Sequence, residues 1–224
     1  MLILALDTAS SLCAVALHDA RTGVIRAERS EDLGTGHAAR LMPMINETLK
    51  GAGAALADVD AVACCIGPGS FTGVRVGVAA ARGLMQALGV PGIAVTTLQA
   101  LAADALALHE GPVRVLIDAR RGEVHAQDFA ADGKPLSPPA LLSLEQAALG
   151  ADAFTLAGSG APLAAPDAAR VLEAMSTGSM TAFCRLAAMR ASQSQTSLTM
   201  SPLYLRGADA KPQTGFALAR SATA

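Results

Sequence analysis

The sequence predicts an α/β chain built as two lobes, each a mixed sheet flanked by helices. Three observations predict it. Short apolar runs of strand length alternate with longer segments of helical period, three consecutive strands precede the first helix, and the same order begins again in weaker form at Val113. At 224 residues, 52% hydrophobic and 16% charged, the chain has enough apolar side chain to bury such a core.

Residues 2–8, 12–19 and 23–30 read as strands of an antiparallel meander, separated by turn-like Thr8-Ala9-Ser10-Ser11 and Asp19-Ala20-Arg21-Thr22-Gly23. A helix follows from about His37 to Leu49, because Leu41, Met44, Ile45, Thr48 and Leu49 recur at helical spacing and Gly51 to Gly53 supply the stop. Val59 to Ile66 is a short apolar strand. After the Gly67-Pro68-Gly69 turn, Ser70 to Leu88 form a second helix ended by Gly89 and Pro91; Ile93 to Val95 is a strand and Leu98 to Leu108 a third helix. These make a first lobe, residues 1–109, with the boundary at His109-Glu110-Gly111-Pro112.

The second lobe, residues 110–224, reads as a degenerate copy whose tail can return to the first. Val113 to Asp118 and Glu123 to Ala130 form a strand pair, Leu144 to Leu149 is helix-like, and Phe154 to Ala157 is a strand. Helices are expected near Pro166 to Met175 and over Thr181 to Ser192, and the Ser/Gln/Thr-rich stretch from Ser192 to Thr199 reads as a loop.

Composition excludes several function classes. A net charge of -2 provides no strong field for a phosphate backbone, and Arg114, Arg120, Arg121, Arg206 and Lys211 read as scattered surface charge. With no Trp and one Tyr, aromatic-led capture of single-stranded nucleic acid is disfavoured. The start Met1-Leu2-Ile3-Leu4-Ala5-Leu6-Asp7 lacks a basic leader and reads as a mature cytoplasmic terminus. The apolar stretch from Val74 to Val95 carries Arg75, Arg82 and Pro91, so it reads as a buried helix and not a membrane span. Cys13, Cys64, Cys65 and Cys184 have no metal-ligand spacing and read as buried reduced thiols.

Asp7-Thr8 at a strand end has two readings. A carboxylate beside free turn N–H groups can hold a phosphate or a metal-bound water; the same pair can simply shape the turn, which is the reading preferred here. The matching second acid, Asp118, is followed by Ala119-Arg120 and not by a glycine-rich phosphate loop, and Gly158-Ser159-Gly160 only loosely suits an adenosine-binding loop. Gly67-Pro68-Gly69-Ser70 leads into a helix N-terminus but lacks the Lys of a P-loop, so Ser70 reads as an N-cap. No Ser-His-Asp or Cys-His arrangement follows from spacing, and His18, His37, His109 and His125 include no pair at i, i+4.

Three segments carry a family resemblance: Leu4-Ala5-Leu6-Asp7-Thr8-Ala9, then Gly67-Pro68-Gly69-Ser70-Phe71-Thr72-Gly73-Val74-Arg75, then Ile117-Asp118-Ala119-Arg120-Arg121-Gly122-Glu123-Val124. His37-Ala38-Ala39-Arg40-Leu41-Met42-Pro43 and Pro202-Leu203-Tyr204-Leu205-Arg206 support it. In this order they resemble the actin-like ATPase superfamily (ASKHA, ribonuclease H-like) and, within it, the TsaB or YeaZ family. The resemblance is strong through residue 130, thin from 131 to 200, and returns at the tail.

The resemblance implies a non-catalytic, cytoplasmic dimerisation subunit in the synthesis of tRNA threonylcarbamoyladenosine. Its implied partners are a TsaD-type catalytic subunit and a TsaE-type ATPase, with a homodimer when alone, tRNA mainly through the complex, and no membrane. No tightly bound cofactor or metal is implied; ATP or ADP enters only in the partner complex, with Asp7, Thr8 and Asp118 a vestigial nucleotide site. Alignment through Val90-Pro91-Gly92-Ile93-Ala94-Val95 puts Thr97 and Leu101 where the catalytic homologue has its metal-binding histidines. Family members pair through their first two helices. Spacing alone leaves Gly73 and Gly77 equally suited to internal packing or to a partner helix; the resemblance favours the partner, with His37, Leu41, Gly73, Val74, Gly77 and Ala81 as the expected interface. The rivals are a glycoprotease-type metallopeptidase and a nucleotide-binding regulator acting alone.

Overall fold

Every residue of the segments Ile3 to Asp7 and Ala61 to Cys65 is buried, which requires helices on both faces of the sheet they form. A computed structural model of the chain describes residues 1–206; Lys211 and the tail beyond Arg206 lie outside the described residues. The first sheet holds β1 (Leu2–Asp7), β2 (Leu12–Asp19), β3 (Val24–Asp32), β4 (Ala61–Cys65) and β5 (Gly92–Val95), in the order β3-β2-β1-β4-β5. Leu2 faces Asp19 and Leu12 faces Asp32 in the antiparallel meander, while β4 runs parallel to β1 and β5 parallel to β4. The connecting helices are α1 (His37–Gly51), α2 (Phe71–Leu88) and α3 (Thr97–Leu108).

The second sheet repeats that path. It contains β6 (Val113–Arg120), β7 (Glu123–Phe129), β8 (Ala140–Ser143), β9 (Thr155–Ala157) and β10 (Arg170–Val171), in the order β10-β9-β6-β7-β8. The helices of this half are α4 (Leu144–Ala148), α5 (Ala161–Ala164) and α6 (Met180–Ser192). The architecture is a two-lobed actin-like fold.

Strands sort by chain order; helices do not. On the first sheet α1 and α2 contact each other and lie on β2, β3 and β4, while α6, from the far half of the chain, packs on β1, β2 and β5. In return α3 packs on β6, β7 and β9, where Leu98, Leu101, Ala102 and Ala105 meet Val113, Val115, Ile117 and Phe129. The opposite face of β6 packs through Leu116 on Ala147 and Ala161, from α4 and α5.

Two expectations about elements change. No helix forms over Pro166 to Met175: Pro166 disfavours helical backbone at the residue before it, the Arg170 guanidinium bonds the carbonyls of Ala165, Pro166 and Ala168, and Leu172 has a φ of 54°. The chain there forms turns and the short strand β10 instead, and α5 has already ended at Ala164. β8 was not expected, since Leu141-Leu142-Ser143-Leu144 leads directly into α4 and only Ser143, capping that helix through Gln146, marks where strand ends and helix begins.

The residues of the expected partner interface lie inside the fold. His37 is 7% exposed, Leu41 1%, Val74 3% and Ala81 0%, all covered within the chain. A Cβ added at Gly73 would lie 2.0 Å from the Thr8 carbonyl oxygen, and one at Gly77 would lie 2.4 Å from Thr8 Oγ1 and 3.4 Å from Cys64 Sγ. The glycine stripe therefore serves the close approach of α2 to the chain's own first sheet. The outward faces of the same helices carry other residues, among them Met42, 44% exposed, and Phe71, 59% exposed.

Candidate functional site

At the end of β1 the chain turns on its own carboxylate. Asp7 is 3% exposed; its Oδ1 accepts from the Ala9 N–H at 2.8 Å and its Oδ2 from the Thr177 hydroxyl at 2.5 Å. Burial pushes the Asp7 carboxyl above the usual range, against the lowering effect of those two hydrogen bonds. Thr8, fully buried, donates its hydroxyl to the Gly73 carbonyl at 2.7 Å.

The Gly67-Pro68-Gly69-Ser70 turn is fastened to the same place. The Ser70 N–H donates to the Ala9 carbonyl at 2.7 Å, an approach that requires Gly69, whose added Cβ would lie 2.1 Å from that oxygen. Ser70 caps α2, its Oγ accepting from the Gly73 N–H at 3.2 Å, as its place before the helix predicts. Two donors at this helix start are thus satisfied within the chain. Thr97 fixes the turn from the other side, with its N–H on the Gly67 carbonyl at 3.0 Å and its hydroxyl on the Pro68 carbonyl at 2.7 Å. Leu101 points into the core of the second lobe, beside Gly158. Neither of these two positions offers a ligand nitrogen, and among the described residues no group of three His, Cys, Asp or Glu could hold a metal ion.

The facing wall comes from the segment between β10 and α6. Asp104 on α3 accepts from the Ser179 N–H at 2.5 Å and from its hydroxyl at 2.7 Å, and an added Cβ on Gly178 would lie 2.4 Å from the Ala100 carbonyl carbon. Seated in this way on α3, the segment reaches across to Asp7 through Thr177, which is 4% exposed.

Asp118 is not brought onto Asp7 directly. Its Oδ1 accepts from the Arg120 N–H at 2.8 Å and its Oδ2 lies 3.3 Å from the Arg120 guanidinium, so it shapes its own hairpin. Its backbone N–H donates to Ser159 Oγ at 3.2 Å, and Ser176 donates to the same Ser159 oxygen at 3.2 Å. Among the described residues the two acids are linked through Ser159 and the neighbouring residues Ser176 and Thr177. Gly158, with a φ of 98°, packs against β6, where an added Cβ would be 2.5 Å from the Leu116 carbonyl oxygen, so its lack of a side chain serves this close approach.

Sequence reasoning located Asp7, Thr8 and Ser70 and missed Thr177, Asp104 and Ser179. Thr177 lies 170 residues from Asp7, and Ser-Thr-Gly-Ser by itself reads as a loop. Among the described residues, no helix is long and apolar enough to cross a membrane.

Comparison with known proteins agrees with this fold. The family model described as TsaD, tRNA N6-adenosine threonylcarbamoyltransferase, matches residues 18–208. The tRNA threonylcarbamoyladenosine biosynthesis protein TsaB of Escherichia coli is 42% identical over 59% of this chain, and that of Haemophilus influenzae 42% identical over 55%. The matched stretches span about half the length of these relatives, 56% and 51%. An uncharacterized Mycobacterium tuberculosis protein is 33% identical over 94% of both chains. The solved structure of YeaZ from Pseudomonas aeruginosa superposes with a TM-score of 0.79 at 31% identity, covering 91% of this chain and 99% of its own. By its sequence motifs, its fold and these matches, the chain belongs to the TsaB (YeaZ) family of the actin-like ATPase superfamily.

Proposed function

We propose that this chain is a non-catalytic accessory subunit in the synthesis of tRNA threonylcarbamoyladenosine, acting through a TsaD-type partner that carries the transferase chemistry. The observation that supports it most is the buried Asp7, whose two oxygens are taken up by Ala9 and Thr177 of the chain itself. An actin-like subunit that worked on a nucleotide would need that strand-end carboxylate open to a phosphate-bound cation. Here Asp7, Thr8 and Asp118 form a vestigial site, and the chain holds no tightly bound cofactor. Partner contact falls to the outward faces of α1 and α2, where Met42, Pro43, Phe71 and Ala79 are exposed. A TsaE-type ATPase, homodimerisation of the free chain and a cytoplasmic setting belong to the same proposal, with tRNA held mainly by the assembly.

The test is a reconstituted tRNA modification assay that reads threonylcarbamoyladenosine in nuclease digests. Omitting the chain should abolish the product, while Asp7→Ala, if the protein remains folded, should leave most of it. Loss of product with Asp7→Ala at unchanged fold and partner binding would mean that the site is live.

A further inference from the structure

The chain's single Tyr and one of its five Phe sit together on the surface, enclosing a cation. Phe71 is 59% exposed and Tyr204 49%, their ring centroids 5.7 Å apart and tilted by 40°. The Arg75 guanidinium lies 3.5 Å from the Phe71 centroid and 5.5 Å from that of Tyr204, and its Nε donates to the Tyr204 hydroxyl at 2.7 Å. Tyr204 is held in place by the strap it belongs to. The Leu203 N–H donates to the Ile66 carbonyl at 2.8 Å on the first lobe, and Arg206 reaches the second, donating to the Ala119 carbonyl at 3.2 Å and pairing with Glu123.

Rings and hydroxyl thus fix the orientation of an exposed guanidinium whose two terminal nitrogens hydrogen-bond no group among the described residues. No acidic side chain among them pairs with it either. An immobilised fork with two free donors matches a carboxylate, and the open ring faces beside it match an apolar neighbour. A nucleic-acid backbone fits less well. Arg206, on the same strap as Tyr204, and Arg120 are already paired with Glu123 and Asp118, so these two add no free positive charge for a run of phosphates.

We propose that Phe71, Arg75 and Tyr204 form a docking anchor that receives one carboxylate side chain of the TsaD-type partner, with an apolar residue of that partner on the exposed rings. This rests on the accessory-subunit reading above and adds to it a specificity-determining contact at the start of α2.

The experiment measures the affinity of the chain for the purified TsaD-type subunit of the same cell by calorimetry, with a thermal melt of each variant as the fold check. Arg75→Glu should weaken binding by about 100-fold, and Arg75→Lys by about 10-fold, because charge remains while the planar fork is lost. Tyr204→Phe should cost a few-fold, as the ring stays and the hydroxyl that orients Arg75 goes. Reversing a single Asp or Glu of the partner to Arg should rescue Arg75→Glu and not the wild type. Arg75→Glu, or Arg75→Gln if the reversal does not fold, binding within two-fold of wild type would overturn the anchor while leaving the complex intact. Loss of tRNA binding by the same variant at unchanged partner affinity would overturn it in favour of a phosphate contact. Wild type that does not bind the partner at all would remove the accessory-subunit reading, and the anchor with it.

Discussion

Replacing Gly73 with alanine should destabilise the protein although alanine is the better helix former. The helical preference favours the substitution by about 1 kcal/mol. Against it stands a backbone atom: the new methyl would lie 2.0 Å from the Thr8 carbonyl oxygen and 3.2 Å from its carbon, so the first turn of α2 must withdraw from the end of β1. Overpacking of this kind costs about 1–3 kcal/mol or more. Withdrawal also stretches two 2.7 Å hydrogen bonds, Thr8 Oγ1 to the Gly73 carbonyl and Ser70 N–H to the Ala9 carbonyl. Their weakening adds about 1–2 kcal/mol, giving a net loss of about 3 kcal/mol and a melting temperature about 6–12 °C lower. Gly83→Ala on the same helix is the control, because nothing lies within 4 Å of its added Cβ. It should raise the melting temperature by about 2–4 °C. The assay is differential scanning calorimetry of both variants. If Gly73→Ala melts at or above the wild type, or the two variants shift alike, the inward packing of this face is refuted.

Asp7 makes a pH dependence testable. Its folded carboxyl is raised above the ordinary 3.8, chiefly by burial, so its favourable contribution is fully present below that pH and is lost as pH rises through the folded value. The melting temperature of the wild type minus that of Asp7→Asn should therefore fall from about pH 4 towards neutrality; parallel curves would contradict it. The thiols give another measurement: Cys13, Cys64, Cys65 and Cys184 are all buried, with burial pushing Cys13 up to about 11 and Cys184 up to about 12. Ellman's reagent should find no fast-reacting thiol in the native protein and four after denaturation, and rapid labelling of the native chain would show the packing to be wrong.

The first sheet was legible because its signals are local. Leu41, Met44, Ile45, Thr48 and Leu49 are spaced for one buried helix face, and all five are buried. The second lobe was harder, because β8, α5 and β10 are four residues or fewer and leave no periodicity to read. For the site, Asp7 and Ser70 were visible as turn and cap chemistry. Their closure by Thr177 was not, since it depends on how α3 seats a loop from the other half of the chain. The direction of the glycine stripe was beyond spacing in principle: small residues one helical turn apart let any backbone approach, whether from a partner or from the chain's own strand. Phe71, Arg75 and Tyr204 all stood inside motifs quoted for the resemblance, yet Arg75 and Tyr204 are 129 residues apart and their contact exists only in the fold.

The exchange of α3 and α6 between the sheets bears on how the chain matures during synthesis. All five strands of the first sheet are made by Val95, but the helix that packs on β1, β2 and β5 begins only at Met180. Until then the apolar side chains that β1, β2 and β5 bury against this helix have no cover from it. The nascent N-terminal half therefore cannot complete this packing before α6 has been made, which ties the completion of the first lobe to synthesis of the second.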